Sequence, residues 1–202
     1  GLLVEHAFTS VPVTLAAHAT LLTGRLPPQH GVRGNSFYRL PDRETTLAEL
    51  LRTAGYRTAA VVGAAVLDRR WGLNQGFDLY DDRTTSAAGT VLIAERSADA
   101  VVSRALEWLE SRDDRPFLLW VHLFDPHDPY RPPEPFATRF ADAPYDGEVA
   151  FVDEQVARLL GAIDARGMRN TITVLTADHG ESLGEHGEAT HGVFLYDSTL
   201  RV

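Results

Sequence analysis

The stretch "GEVAFVDEQVARLLGAIDARG", residues 147–167, runs through "MRN" into "TITVLTA", residues 171–177, and then meets Asp178, His179 and Gly180. Val152, Val156, Leu159, Leu160 and Ile163 recur at helical spacing, and Gly167 supplies a stop. "TITVLTA" is β-branched and apolar, the pattern of a strand buried on both faces. The same succession occurs twice upstream. "TTLAELLRTAGY" (45–56) reads as a helix, with Thr46 and Glu49 spaced as a capping box and Gly55 as its end, and "RTAAVVGA" (57–64) follows as a strand. "SADAVVSRALEWLESR" (97–112) places Val101, Val102, Ala105, Leu106 and Leu109 on one helical face, and "PFLLWVHLF" (116–124) follows as another strand. Helix then apolar strand, three times over, predicts an α/β fold: a mostly parallel sheet flanked by helices on both faces.

With 202 residues, 44% of them hydrophobic, the chain can bury the core of one domain. A net charge of −9 argues against nucleic-acid binding, which calls for a basic face. Cysteine is absent, so disulfides and thiolate metal sites are excluded. Lysine is absent as well, and no apolar run reaches membrane-spanning length.

In open α/β sheets, ligands bind outside the carboxyl ends of the strands. Two polar clusters follow apolar runs here: "DPHDPY" (125–130), and Asp178-His179 within "TADHGESLGEHGEATHG" (176–192). Both are expected to open onto one edge. Near the front, "TLAAHATLL" (14–22) reads as a short helix entered at Thr14, with His18 one turn on. Thr14 is the predicted N-cap. A hydroxyl at a helix start is also where an anion would bind, so a cap and a nucleophile are both open readings.

"TLAAHATLLTGRLPPQHGVRGN" (14–35) resembles the nucleophile motif of the sulfatase family, within the alkaline phosphatase superfamily. That motif reads Cys/Ser-x-Pro-Ser-Arg-x-x-Leu-Leu-Thr-Gly, then a Pro…His-Gly-Val turn. The likeness continues in order through "GYRTAAVVG", "GLNQGFDLYDD", "DPHDPYRPP", "YDGEVAFVDEQ" and "TADHGESLGEHGEATHG". The resemblance implies one sulfatase-like catalytic domain over residues 1–202, cut at both ends. It places Thr14 at the nucleophile, where true sulfatases carry a formylglycine, and His18 where they carry arginine. Asn35 matches a contact to non-bridging oxygens, and His127 a histidine near the leaving group. His191 falls where a catalytic lysine is common. Asp178 and His179 match the metal-ligand pair, with Thr14 facing the same divalent cation (Zn, Mn, Mg or Ca).

Formylglycine is made from Cys or Ser, and Thr14 is neither. The threonine resembles instead the phosphodiesterase and phosphotransferase branch. The expectation is a metal-dependent hydrolase that cleaves phosphoesters, or transfers the phosphoryl group, through a phosphothreonine. A sulfuric ester hydrolase is the alternative, and a non-catalytic metal-binding relative the second. The substrate is then a small-molecule or polymer-linked phosphate or sulfate ester. No Asp-Thr-x-Arg-x-Asp motif, the family's source of further metal ligands, precedes Thr14. The ligands it would supply are expected on a preceding segment, without which the fragment itself would be inactive.

Other polar residues have plainer expectations. His30 is a turn residue, His122 a hydrogen-bonded core histidine, and His186 is split between a solvated loop and a role. Asp125 is expected to brace the loop presenting His127, and Tyr130 and Phe136 to wall a pocket.

Overall fold

The computed structural model describes residues 1–84, 94–111 and 114–202. In chain order these form α1 (Thr14–Thr23), α2 (Pro27–His30), α3 (Leu47–Thr53), β1 (Arg57–Val62), β2 (Leu79–Asp81), α4 (Ala98–Glu110), β3 (Phe117–His122), α5 (Phe136–Arg139), α6 (Pro144–Ala165) and α7 (Asp197–Leu200). The sheet is parallel, in the order β2-β1-β3, and helices flank it. The α/β expectation holds. β2 is an addition, because three residues give too short a pattern to read. Arg112, which ends the stretch read as the second helix, lies outside the described residues.

The described residues divide into two compact units. The second, residues 51–65 and 77–173, contains the sheet. Val61, Val101 and Ala105 are fully buried, with Leu119, Val121, Leu123 and Leu159 against them, so α4 lays its apolar face over the strands and α6 packs against α4. Ala98, Phe136 and Phe151 make a second core group. Phe136 is therefore core, not a pocket wall as the sequence suggested: the four-residue α5 turns its ring inward onto Phe151, 5.8 Å between centroids. At the end of β2, buried Asp81 gathers Arg83, Arg96 and Arg104. Burial raises the proton affinity of this carboxyl, but hydrogen bonds from Arg83 and Arg104 and the charge of Arg96 outweigh it. They hold Asp81 well below the ordinary carboxylate range.

The first unit comprises residues 1–50, 66–76 and 174–202. The Thr46–Glu49 capping box forms as predicted: Thr46 N donates to Glu49 Oε2 at 2.9 Å and Glu49 N to Thr46 Oγ1 at 3.2 Å. His30 is fully buried. Its Nδ1 accepts from Val32 N at 3.1 Å and its Nε2 meets Thr20 Oγ1 at 3.1 Å, so it braces the turn it sits in.

One predicted strand is corrected. Residues 171–177 form no strand, and Ile172, Val174 and Leu175 are mostly exposed. A strand is stable only through the ladder it joins, and among the described residues nothing pairs with this stretch. The apolar pattern is a real strand signal without a neighbour to act on.

Candidate active site

Thr14 is the first helical residue of α1, and Val13, in extended conformation, holds the cap position. The expected N-cap role is thus corrected. A cap needs non-helical backbone, which the preceding residue has taken, and the orphan amide at the helix start finds another acceptor. Asn35 Oδ1 accepts from Leu15 N at 2.8 Å. That bond fixes the orientation of the Asn35 amide and turns its NH2 end into the group able to donate to an anion.

The hydroxyl released from capping duty goes to His179, with Thr14 Oγ1 3.2 Å from His179 Nε2. The tautomer follows from the other ring nitrogen. Nδ1 lies 2.8 Å from the Gly180 carbonyl oxygen, which can only accept, so Nδ1 carries the proton. Burial lowers the proton affinity of His179, against the opposing charge of Asp178, so the ring is neutral. Nε2 is then the lone-pair nitrogen, and the Thr14 hydroxyl donates to it. The same lone pair would serve a base or a metal ligand.

His18 is buried. Its Nδ1 donates to the Thr14 carbonyl oxygen at 2.8 Å and lies 3.5 Å from Asp178 Oδ2. Asp178 Oδ2 is also 3.4 Å from His179 Nε2. The His191 ring packs on His179 with centroids 4.1 Å apart, and its Nδ1 meets Glu181 Oε1 at 3.0 Å. Thr14, His18, Asn35, Asp178, His179 and His191, named from the sequence, are therefore joined in one network of the first unit. Glu181 was not singled out there. Its signal is position: it follows Gly180 directly, on the loop that carries His179.

Gly180 explains how the loop is seated. Its N–H donates to Thr199 O at 2.9 Å, and a Cβ at this position would stand 2.2 Å from Ser198 O. Only glycine admits so close an approach of two backbones. His186 has a positive φ of 58° and stacks on Tyr196, centroids 3.8 Å apart, on the exposed side of the loop.

Asp178, His179 and Thr14 offer at most a partial cation site. Among the described residues no group of three or more histidines and carboxylates is arranged to hold a metal ion, and a hard cation takes about six donors.

His127 belongs to the second unit. Its ring stacks on Phe124 at 4.3 Å, and Nδ1 donates to Asp128 O at 2.7 Å. His122 is buried at the end of β3 and accepts from Gly63 N at 3.4 Å, the core role expected of it.

Comparison with known proteins gives consistent results. The chain is 24% identical over its full length to the uncharacterized sulfatase YidJ of Escherichia coli, covering 54% of that protein. It is 32% identical over 135 residues to human N-sulphoglucosamine sulphohydrolase, a match spanning 63% of this chain and 25% of that enzyme. The chain thus spans about half the length of the first relative and less of the second. Its fold is similar to that of the phosphonate monoester hydrolase of Agrobacterium radiobacter, with a TM-score of 0.79 at 19% identity over 97% of this chain and 58% of that one. The profile of the family described as Sulfatase matches residues 1–202, and on that match the chain belongs to the sulfatase family.

Proposed function

We propose that this chain serves an ester hydrolase in which Thr14 is the nucleophile and the scissile group is a sulfate ester on a sugar-like small molecule or polymer. One observation carries the reading: a buried threonine hydroxyl, at the start of a helix, donates to the lone-pair nitrogen of a neutral histidine whose side chain is 9% exposed. Family membership and the sulphohydrolase relative support sulfate as the ester, in preference to the phosphoester that the threonine suggested.

In the proposed step the Thr14 oxygen attacks sulfur, its proton passes to His179 Nε2, and the bond to the leaving oxygen breaks. His191, held by Glu181, protonates that oxygen, and His127 is assigned the same task by resemblance. The Asn35 NH2 group and the first-turn amides of α1 other than Leu15 N, which Asn35 already holds, stabilise charge on the non-bridging oxygens, and resemblance gives His18 the same task. Water then displaces sulfate from Thr14 and restores the hydroxyl. Family members generally use a divalent cation; Asp178, His179 and Thr14 would help to hold one, and His179 Nε2 would then face the cation in place of the Thr14 proton.

A second reading, phosphoester cleavage, is favoured by Thr14 itself, since the formylglycine of true sulfatases comes from Cys or Ser. Parallel assays of a sulfate ester, a phosphodiester and a phosphomonoester, with and without Ca, Mg, Mn or Zn, separate the two for wild type and Thr14→Ala. Sulfate release lost in Thr14→Ala supports the proposal. Phosphoester turnover alone replaces it with the second reading. Undiminished turnover in Thr14→Ala removes the threonine from both.

A further inference from the structure

The loop between β3 and α5, which presents His127, is held by two carboxyl groups in an unusual state of satisfaction. Asp125 Oδ1 accepts from Ala98 N, the first amide of α4, at 3.1 Å, and the Asp125 carbonyl accepts from His127 N at 2.6 Å. Glu148 on α6 is 5% exposed, and its Oε1 accepts from Arg131 N at 2.6 Å. The His127 amide also bears on the Glu148 carboxylate. Residues 125–131 are thus tied to one helix through Asp125 and to another through Glu148. Each carboxyl has a second oxygen, Asp125 Oδ2 and Glu148 Oε2, that is buried with no hydrogen-bond partner among the described residues. Two ionised carboxylates with bare buried oxygens are costly, whereas a carboxylic acid gains an O–H that can be donated.

We propose that Asp125 and Glu148 form a proton-holding brace that keeps the His127 loop ordered, and that the loop loosens when the brace loses its proton. Burial pushes Asp125 up to about 6, reinforced by the charges of Glu95 and Asp99 beside the start of α4 and opposed by the Ala98 amide. Burial pushes Glu148 up to about 7, reinforced by Asp125 and Glu95 and opposed by the Arg131 and His127 amides. Both shifts are upward, so the folded chain keeps protons that the unfolded chain releases above about pH 4. Stability is therefore lost as pH rises from there to about 7, and stays low beyond.

The positioning role of the pair toward His127 rests on the proposed function; the brace itself does not. The test measures hydrogen-exchange protection of the Arg131 amide from about pH 5 to about pH 8, corrected for intrinsic exchange. It compares the wild-type chain with Glu148→Gln and Asp125→Asn, alongside kcat and KM. Wild type is expected to lose roughly tenfold in protection across this range, as befits about one proton on the pair, while Glu148→Gln, in which only Asp125 still ionises, loses clearly less. Its kcat should hold at alkaline pH where the wild type declines, with KM unchanged. An equal fall in protection for all three chains would overturn the brace, and a wild type without any fall would do so even if both variants failed to fold. A flattened exchange profile with an unaltered kcat profile supports the brace and counts against a catalytic task for His127. Absence of turnover in every chain sinks the proposed function and leaves the exchange data to decide the brace.

Discussion

Replacing Gly180 by alanine should disable the site without touching any reacting group. The new Cβ would stand 2.2 Å from Ser198 O, where real Cβ atoms keep at least 3.0 Å from a neighbour, and both partners are backbone. Neither can rotate away, so the loop must retreat by about 1 Å, and it carries His179, the adjacent residue, with it. The Gly180 N to Thr199 O bond lengthens out of range, which costs about 1 kcal/mol. His179 Nε2 leaves its 3.2 Å contact with Thr14. A misplacement of about 1 Å at a reacting pair costs on the order of 100-fold in rate. Steady-state turnover of the substrate found in the ester assays, beside thermal unfolding, should show kcat down roughly 100-fold with Tm lowered by only about 2–4 °C. Wild-type turnover in Gly180→Ala would refute the claim that backbone contact at Gly180 seats His179.

Asp81→Asn leaves Arg96 and Arg104 half-buried around a neutral amide. With exposed Arg83 discounted, the loss should be about 3 kcal/mol, or a Tm drop of roughly 5–10 °C by calorimetry at neutral pH. Because the folded proton affinity of Asp81 is depressed, its contribution is fully present above about pH 4 and is lost on acidification below that. Wild type and Asp81→Asn should therefore converge in Tm at low pH. Asn35→Ala removes both the acceptor for Leu15 N and an NH2 donor, so stability should fall by about 1 kcal/mol in denaturant titration and kcat should fall as well. Asn35→Asp keeps the acceptor and should restore the stability but not the rate.

The helices and two of the strands were legible because their signals are local. Thr46 and Glu49 cap where their spacing says, and Val101, Val102, Ala105 and Leu109 lie buried on α4 as the periodicity requires. Residues 171–177 show the limit: apolar alternation specifies a strand only where another strand lies beside it, and pairing is not a property of the segment. α6 begins at Pro144, ahead of the stretch that suggested it, because proline suits the first helical turn. The site was legible as a set of residues and less so as a set of roles. Asp178 and His179 stand out at a loop followed by glycine, but the tautomer of His179 depends on a carbonyl one residue on. Asn35 had been assigned to substrate, yet its oxygen is spent on Leu15 N, twenty residues away, and only its NH2 end is left for an anion. Glu148 lies within the quoted "YDGEVAFVDEQ", but it could not be read as a partner of Arg131 because α6 brings it there through tertiary packing.

The most direct test of the account is the fate of Thr14 during a single turnover. The chain would be mixed with an excess of the sulfate ester, quenched in acid within one turnover, digested, and the peptide bearing Thr14 analysed by mass spectrometry. The account predicts an unmodified threonine before mixing and a transient ester on the Thr14 oxygen after it, absent in Thr14→Ala and, when His191 is replaced, formed only from a substrate whose leaving group needs no proton. Turnover with Thr14 unmodified throughout, or with the group carried on another residue, would contradict it.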